Sequence, residues 1–250
     1  MEILGVDIGG TGIKGAVVET TTGELKTERL RILTPQPATP SAVAATLKEL
    51  VEKIGFTGPV ACGFPARITQ GIVRTAANID NSWIDVPVES LFQETLGKDY
   101  PVPVVNDADA AGLCEQVLGA AKGRMDKVLF LVVGTGIGSA FFTHGHMYEG
   151  TELGHLKFKG DIAEHYCAGI IREREDLSWE KWGKRFGKYL NYVNFLFNPD
   201  LFIIGGGVSA KFDKWKEYLP EDLNVVPAQT LNHAGIIGAA LYGERRIKAQ

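Results

Sequence analysis

The hydrophobic pattern changes period several times along the chain. Ile3–Ile8 and Ile13–Val18 read as two strands around a glycine turn, with a third expected over Leu25–Leu33 after the turn Thr21-Thr22-Gly23. Thr34-Pro35-Gln36-Pro37-Ala38-Thr39-Pro40 is a rigid connector. Ser41 is expected to cap a helix reaching about Ile54, with Val43, Leu47, Leu50, Val51 and Ile54 on one face. Val60–Phe64 is a strand that stops at Pro65; residues 66–100 read as loop-rich, with a helix near 88–96. Val102–Val105 reads as a buried strand and Asp107–Leu118 as a helix. Lys127–Val133 and Ser139–Thr143 form a second hairpin pattern. Ser178 looks like the cap of a long helix whose apolar stripe is Trp179, Trp182, Phe186, Tyr189, Leu190, Val193 and Phe197. Phe202-Ile203-Ile204 is a strand running into Gly205-Gly206-Gly207, and a last helix starts near Ala234. Strands alternating with helices argue for an α/β fold.

One unit occurs twice. Asp7-Ile8-Gly9-Gly10-Thr11-Gly12 returns in altered form as Val133-Gly134-Thr135-Gly136-Ile137-Gly138, roughly half the chain later. Both copies sit between apolar runs, so a strand–glycine turn–strand element is duplicated. A lone turn of this kind is explained by glycines that supply positive φ. Two related turns, each with a threonine, point to phosphate binding by Gly9, Gly10, Thr11, Gly12 and Lys14 in one copy and Gly134, Thr135 and Gly136 in the other. The dinucleotide reading of Gly10–Gly15 fails because a β-forming run, Ala16-Val17-Val18, follows where a helix should open. No Walker-type segment is present. Asp7, beside the first turn, would repel phosphate unless a cation lies between; Mg²⁺ held through water is the functional reading, a turn-forming Asp the plain one.

Composition narrows the classes. With 250 residues, 45% hydrophobic, the chain can bury a sizeable core. A net charge of −4 gives no global attraction to nucleic acid or an anionic membrane. Three dispersed cysteines make no CxxC pair, and no apolar run is long enough to span a bilayer. A cytoplasmic protein with neither nucleic-acid nor membrane partner is expected. Asn106-Asp107 follows a buried strand, at the sheet edge where α/β proteins bind ligands. Asp107 is a candidate general base and equally a helix cap. Glu152 and His155 lie in a glycine-flanked run dense in hydroxyl-binding groups.

Taken in order, Asp7–Gly10, Asn106-Asp107, Gly134–Gly138, Glu152–His155 and Gly205–Gly207 resemble the ROK sugar kinases over essentially the whole chain. Thr34–Pro40, Thr151–His155 and Arg172–Trp179 resemble the polyphosphate-using branch of that family. The resemblance implies an actin/hexokinase-like (ribonuclease H-like) two-lobed fold, with lobes 1–107 plus 234–250 and 108–233. It implies transfer of a phosphoryl group to glucose O6 from polyphosphate, with ATP as a further donor, Mg²⁺ as cofactor and a homodimeric state. Asp107 becomes the base, while Asn106, Asp107, Glu152, His155, Glu164, Asn78 and Arg67 contact sugar. Gly205, Gly206 and Gly207 would face a nucleotide. Leu156–Glu164 holds no cysteine where ordinary members carry a zinc motif, so no structural zinc is expected.

Arg172, Arg174, Lys181, Lys184 and Arg185 form a basic cluster that could guide a linear polyanion, although such a helix face is usually solvated surface. Rival readings are an ATP-dependent hexose or N-acyl-hexosamine kinase, a sugar-sensing repressor, and a non-catalytic sugar-binding module.

Overall fold

The computed structural model describes residues 1–77, 79–99, 101–230 and 233–249. The chain forms two compact units, Met1–Cys114 with Asn232–Gln250, and Glu115–Leu231.

In the first unit, β1 (Glu2–Ile8) and β2 (Ile13–Glu19) form an antiparallel hairpin in which Ile8 faces Ile13. The third expected strand is split into β3 (Glu24–Leu25) and β4 (Leu30–Ile32), both on β2. Val18 faces Leu25 but Gly15 faces Leu30, so two extra residues lie on the edge strand between them. Thr27 Oγ1 accepts from Val17 N at 3.0 Å across that bulge. Helix α1 (Pro40–Ile54) starts with Pro40 and has Thr39, not Ser41, at its cap position; no side chain caps it. Proline suits the first helical turn because its missing N–H would have no partner there. β5 (Val60–Phe64) is wholly buried and runs parallel to β1. The loop-rich stretch contains a small hairpin, β6 (Ile68–Thr69) and β7 (Ile72–Val73), before α2 (Val88–Leu96). Trp83 is fully buried, packs on Phe64 at 4.6 Å between ring centres, and donates from Nε1 to Ala38 O. β8 (Val104–Asn106) pairs parallel with β5 and leads directly into α3 (Asp107–Leu118).

In the second unit, β9 (Val128–Val133) and β10 (Ile137–Thr143) make the other glycine hairpin, extended by β11 (His146–Tyr148). A short hairpin, β12 (Lys157–Phe158) and β13 (Asp161–Ile162), leads into α4 (Ala163–Cys167) and α5 (Gly169–Arg174). Helix α6 (Trp179–Phe197) is capped by Ser178, whose Oγ accepts from Lys181 N. Its stripe is buried from Trp182 to Val193, while Trp179 is half-buried and Phe197 exposed. Trp182 stacks on Phe186 and meets Trp215 edge-on. β14 (Leu201–Gly205) lies parallel between β9 and β15 (Val225–Pro227). Glu115 is buried: Oε1 accepts from Gln229 N, Thr230 N and Thr230 Oγ1, and Oε2 from Ala120 N.

Helix α7 (Ala234–Lys248) returns to the first unit and covers β1 and β5. The approach is close enough to require glycine. A Cβ on Gly5 would lie 2.0 Å from Ile236 O, and one on Gly238 would lie 1.7 Å from Ala110 O.

Candidate active site

The two glycine hairpins differ in length. Residues 9–12 link β1 to β2, and residues 134–136 link β9 to β10. None of Gly9, Gly10, Gly12, Gly134 and Gly136 has a positive φ, so conformational freedom is not what calls for glycine here. Packing explains some of them. A Cβ on Gly12 would meet Arg31 Nε at 2.5 Å, and one on Gly136 would meet Glu164 Oε2 at 2.6 Å. Gly134 has open space where a Cβ would project.

Every carbonyl of the first turn is tied back. Thr34 Oγ1 donates to Gly9 O (2.5 Å), Gln36 Nε2 to Gly10 O (3.4 Å), Arg31 Nη2 to Thr11 O (3.2 Å), and Gly9 N to Gly12 O (3.1 Å). In the second turn Gly134 O accepts from Ile170 N and Gly136 O from Gly134 N, both at 3.0 Å. The amide N–H groups of Gly10, Thr11, Gly12, Thr135 and Gly136 have no acceptor among the described residues. Amides presented in this way can take anionic oxygens. An open cavity of about 290 Å³ adjoins Gly10 and is lined by Gln36, Pro37, Ala38, Ala77, Ile79 and Asp80.

Asp7 lies opposite Lys14, with Oδ2 3.4 Å from the ammonium. Among the described residues no three His, Cys, Asp or Glu side chains gather as a metal-ligand set. A single carboxylate beside the glycine turn fits only an ion that keeps most of its water, as Mg²⁺ does.

At the end of β8 the capping duty falls on Asn106. Its Oδ1 accepts from Ala108 N (2.9 Å) and Asp109 N (3.2 Å), and its Nδ2 donates to Ala66 O (3.1 Å). Asn106 can therefore offer a ligand only its second amide N–H. Asp107, half-buried at the start of α3, has Oδ1 oriented by Ala108 N at 2.8 Å. The Ala66 bond holds the Pro65–Arg67 segment against this strand end, and Arg67 is exposed. Asn78 lies outside the described residues.

In the second unit the structure brings Glu152, His155 and Glu164 together. His155 Nδ1 is 3.7 Å from Glu152 Oε2, and its Nε2 is 3.6 Å from Glu164 Oε1. These separations are too long for direct hydrogen bonds. Glu164 Oε2 also accepts from Ile137 N at 3.1 Å, which links this group to the second glycine turn. Gly205 packs on the Phe130 ring, Gly206 needs its φ of 80°, and Gly207 faces open space.

The basic cluster is largely engaged. Arg172 lies over the Trp179 ring at 4.4 Å and donates to Leu177 O. Lys184 pairs with Glu180 at 2.6 Å and Arg185 with Glu175 at 2.7 Å. Arg174 and Lys181 are exposed. Arg31, Thr34 and Gln36 are site neighbours with no motif of their own: Thr34 and Gln36 sit in the proline-rich connector, and Arg31 in the edge strand before it, with no sequence signal that they meet the first turn.

Two strand–glycine turn–strand hairpins, each part of its own mixed sheet within an α/β chain, define the class with the actin/hexokinase-like fold. The family pattern of ROK matches residues 3–170, and the chain belongs to the ROK family. It is 46% identical over 237 residues to the polyphosphate glucokinase of Mycobacterium tuberculosis, covering 95% of this chain and 89% of the relative. The polyphosphate glucokinase of Mycobacterium leprae is 43% identical, covering 95% of this chain and 73% of the relative. The crystal structure of the inorganic polyphosphate/ATP-glucomannokinase from Arthrobacter sp. strain KM superposes with a TM-score of 0.91 at 42% identity, covering 98% of this chain and 99% of that one.

Proposed function

We propose that the chain is a polyphosphate-dependent glucokinase that transfers the terminal phosphoryl group of polyphosphate to glucose O6, with ATP as a further donor. The observation that carries this reading is the pair of glycine turns in which the amides of Gly10, Thr11, Gly12, Thr135 and Gly136 have no acceptor among the described residues, the carbonyls of the first turn being tied back. Such amides suit the oxygens of a phosphoryl group, whose transfer depends on positioning and charge stabilisation. Donor and acceptor are taken from the likeness to the mycobacterial and Arthrobacter enzymes.

In this reading Asp107 accepts the O6 proton. The O6–P bond forms as the bond from phosphorus to the bridging oxygen breaks, and the polyphosphate leaves one unit shorter. A positioned base contributes about 10²–10⁴ in rate. The second Asn106 N–H, Glu152, His155, Glu164, Arg67 and Asn78 are the groups assigned to sugar hydroxyls. Asp7 would hold Mg²⁺ through water, with Lys14 steadying the carboxylate. When bound, the ion neutralises charge on the donor oxygens. Gly205, Gly206 and Gly207 are assigned to the nucleotide when ATP is the donor. Within the basic cluster, Arg174 and Lys181 are the members suited to guiding a polyanion. No helix among the described residues is long and apolar enough to cross a membrane. The buried thiols Cys62, Cys114 and Cys167 suit a reducing cytoplasm. Phe195, 84% exposed beside Leu196 and Phe197, supplies an apolar surface suited to a homodimer.

Glucose-6-phosphate formation with Mg²⁺ tests the proposal, with long-chain polyphosphate or ATP as sole donor. Faster turnover with polyphosphate supports it. Turnover with ATP alone points to an ATP-dependent hexokinase, and none with either to a sugar-binding module. Asp107→Asn should lower kcat by about 10²–10⁴ while calorimetric glucose affinity stays near wild type. A near-normal kcat would remove Asp107 from the base role.

A further inference from the structure

Strand register places three charged side chains in one row at the turn end of the first sheet. Asp7 on β1 faces Lys14 on β2, and Lys14 faces Arg31 on β4. Residues directly opposite one another project from the same face of a sheet. The Asp7 carboxylate is 3.4 Å from Lys14, so it offsets one of the two cations. Arg31 is exposed and has no carboxylate partner among the described residues. Two like charges opposite each other are unfavourable unless an anion joins them. The Arg31 guanidinium also lies directly over the first turn, donating to Thr11 O at 3.2 Å and occupying the space that a Cβ on Gly12 would take. The contrast with α6 is direct, because Lys184 and Arg185 there already have carboxylates.

We infer that Arg31 is a donor-binding residue, which with Lys14 takes phosphate oxygens beyond those held by the amides of the first glycine turn. The row is ordered outward from Asp7, so successive phosphates of a linear chain meet Asp7 with its ion, then Lys14, then Arg31. Arginine suits the outer position because its planar fork can hold two phosphate oxygens at once. The inference rests on the proposed phosphate role of the first turn.

The test is calorimetric binding of inorganic tripolyphosphate to the whole protein at several salt concentrations, for wild type, R31Q and R31K. Steady-state KM values for polyphosphate, ATP and glucose accompany it. Glutamine keeps a polar side chain on a similar stem and loses the charge. R31Q should bind tripolyphosphate at least about tenfold more weakly, with a flatter salt dependence, because one screened ion contact is gone. R31K should restore the salt dependence, and glucose KM should not move. Raised polyphosphate KM with unchanged ATP KM would place Arg31 beyond the nucleotide's phosphates; a rise in both would place it within them. A wild-type-like R31Q, in affinity and salt slope, overturns the inference and leaves Arg31 as a tether for the turn. A wild-type protein that fails to bind tripolyphosphate overturns instead the phosphate role of the turn.

Discussion

Replacing Gly134 by Ala separates what the fold needs from what the ligand needs. Gly134 has no positive φ, and nothing lies within 4 Å of where its Cβ would sit. The folded chain can therefore accept a methyl group there. Alanine restricts the unfolded chain, which stabilises the protein by about 0.4–1 kcal/mol. For a protein of this size that corresponds to a rise in Tm of about 1–4 °C. Function should move the other way. If a phosphate oxygen approaches the turn amides, a methyl group at Gly134 holds it off and weakens at least one charge-assisted hydrogen bond, worth about 1.5–3 kcal/mol. At about 1.4 kcal/mol per tenfold, kcat/KM for the donor should fall roughly 10–100-fold, with glucose KM little changed. Thermal unfolding by circular dichroism and donor-saturation kinetics on the same preparation read both effects. An unchanged donor kcat/KM would refute the phosphate reading of this turn. A lowered Tm would refute the argument that the fold has no need of glycine there.

Gly136→Ala should differ, because its Cβ would push on Glu164 Oε2; we expect glucose KM to rise and stability to fall by about 1–3 kcal/mol, read by saturation kinetics and urea unfolding. Glu115→Ala strips the acceptor from Gln229 N, Thr230 N, Thr230 Oγ1 and Ala120 N, all around a buried site. It should cost about 3 kcal/mol or more in denaturant unfolding, and a loss below about 1 kcal/mol would mean that those donors find other acceptors. Burial pushes the Cys62 and Cys167 thiols well above their ordinary range. Neither they nor buried Cys114 should react rapidly with Ellman's reagent in the native protein, and all three should react in guanidinium.

Local pattern carried most of the fold. The β1–β2 hairpin, β5, α2, α3, the Ser178 cap and the start of α7 follow from hydrophobic period and turn residues, because each lies beside its own signal. The division of Leu25–Leu33 was not legible, since the two-residue bulge depends on which β2 residues the edge strand meets. The start of α1 was misread because Ser41 looks like a cap, while Pro40 already occupies the first turn. At the site, Glu152 and His155 are near neighbours in sequence, but Glu164 joins them only through the short β12–β13 hairpin. Whether Asn106 or Asp107 caps α3 could not be read from two adjacent residues that can both do so. The tethering of the first turn by Arg31, Thr34 and Gln36 is tertiary and leaves no local pattern.

The close seating of α7 on β1 and β5 has a consequence for how the protein is made. The first strands leave the ribosome more than two hundred residues before the helix that covers them. With synthesis at about 5–20 residues per second, the nascent sheet waits on the order of ten to forty seconds for its cover. Throughout that time Ile3 on β1 and Ala61 on β5, both fully buried in the finished protein and both against Gly243 of α7, lack that cover. The second unit has no such delay, since Glu115–Leu231 is one continuous stretch. Premature termination just before Ala234 should therefore leave a nascent chain with an ordered second unit and a sticky, chaperone-dependent first one.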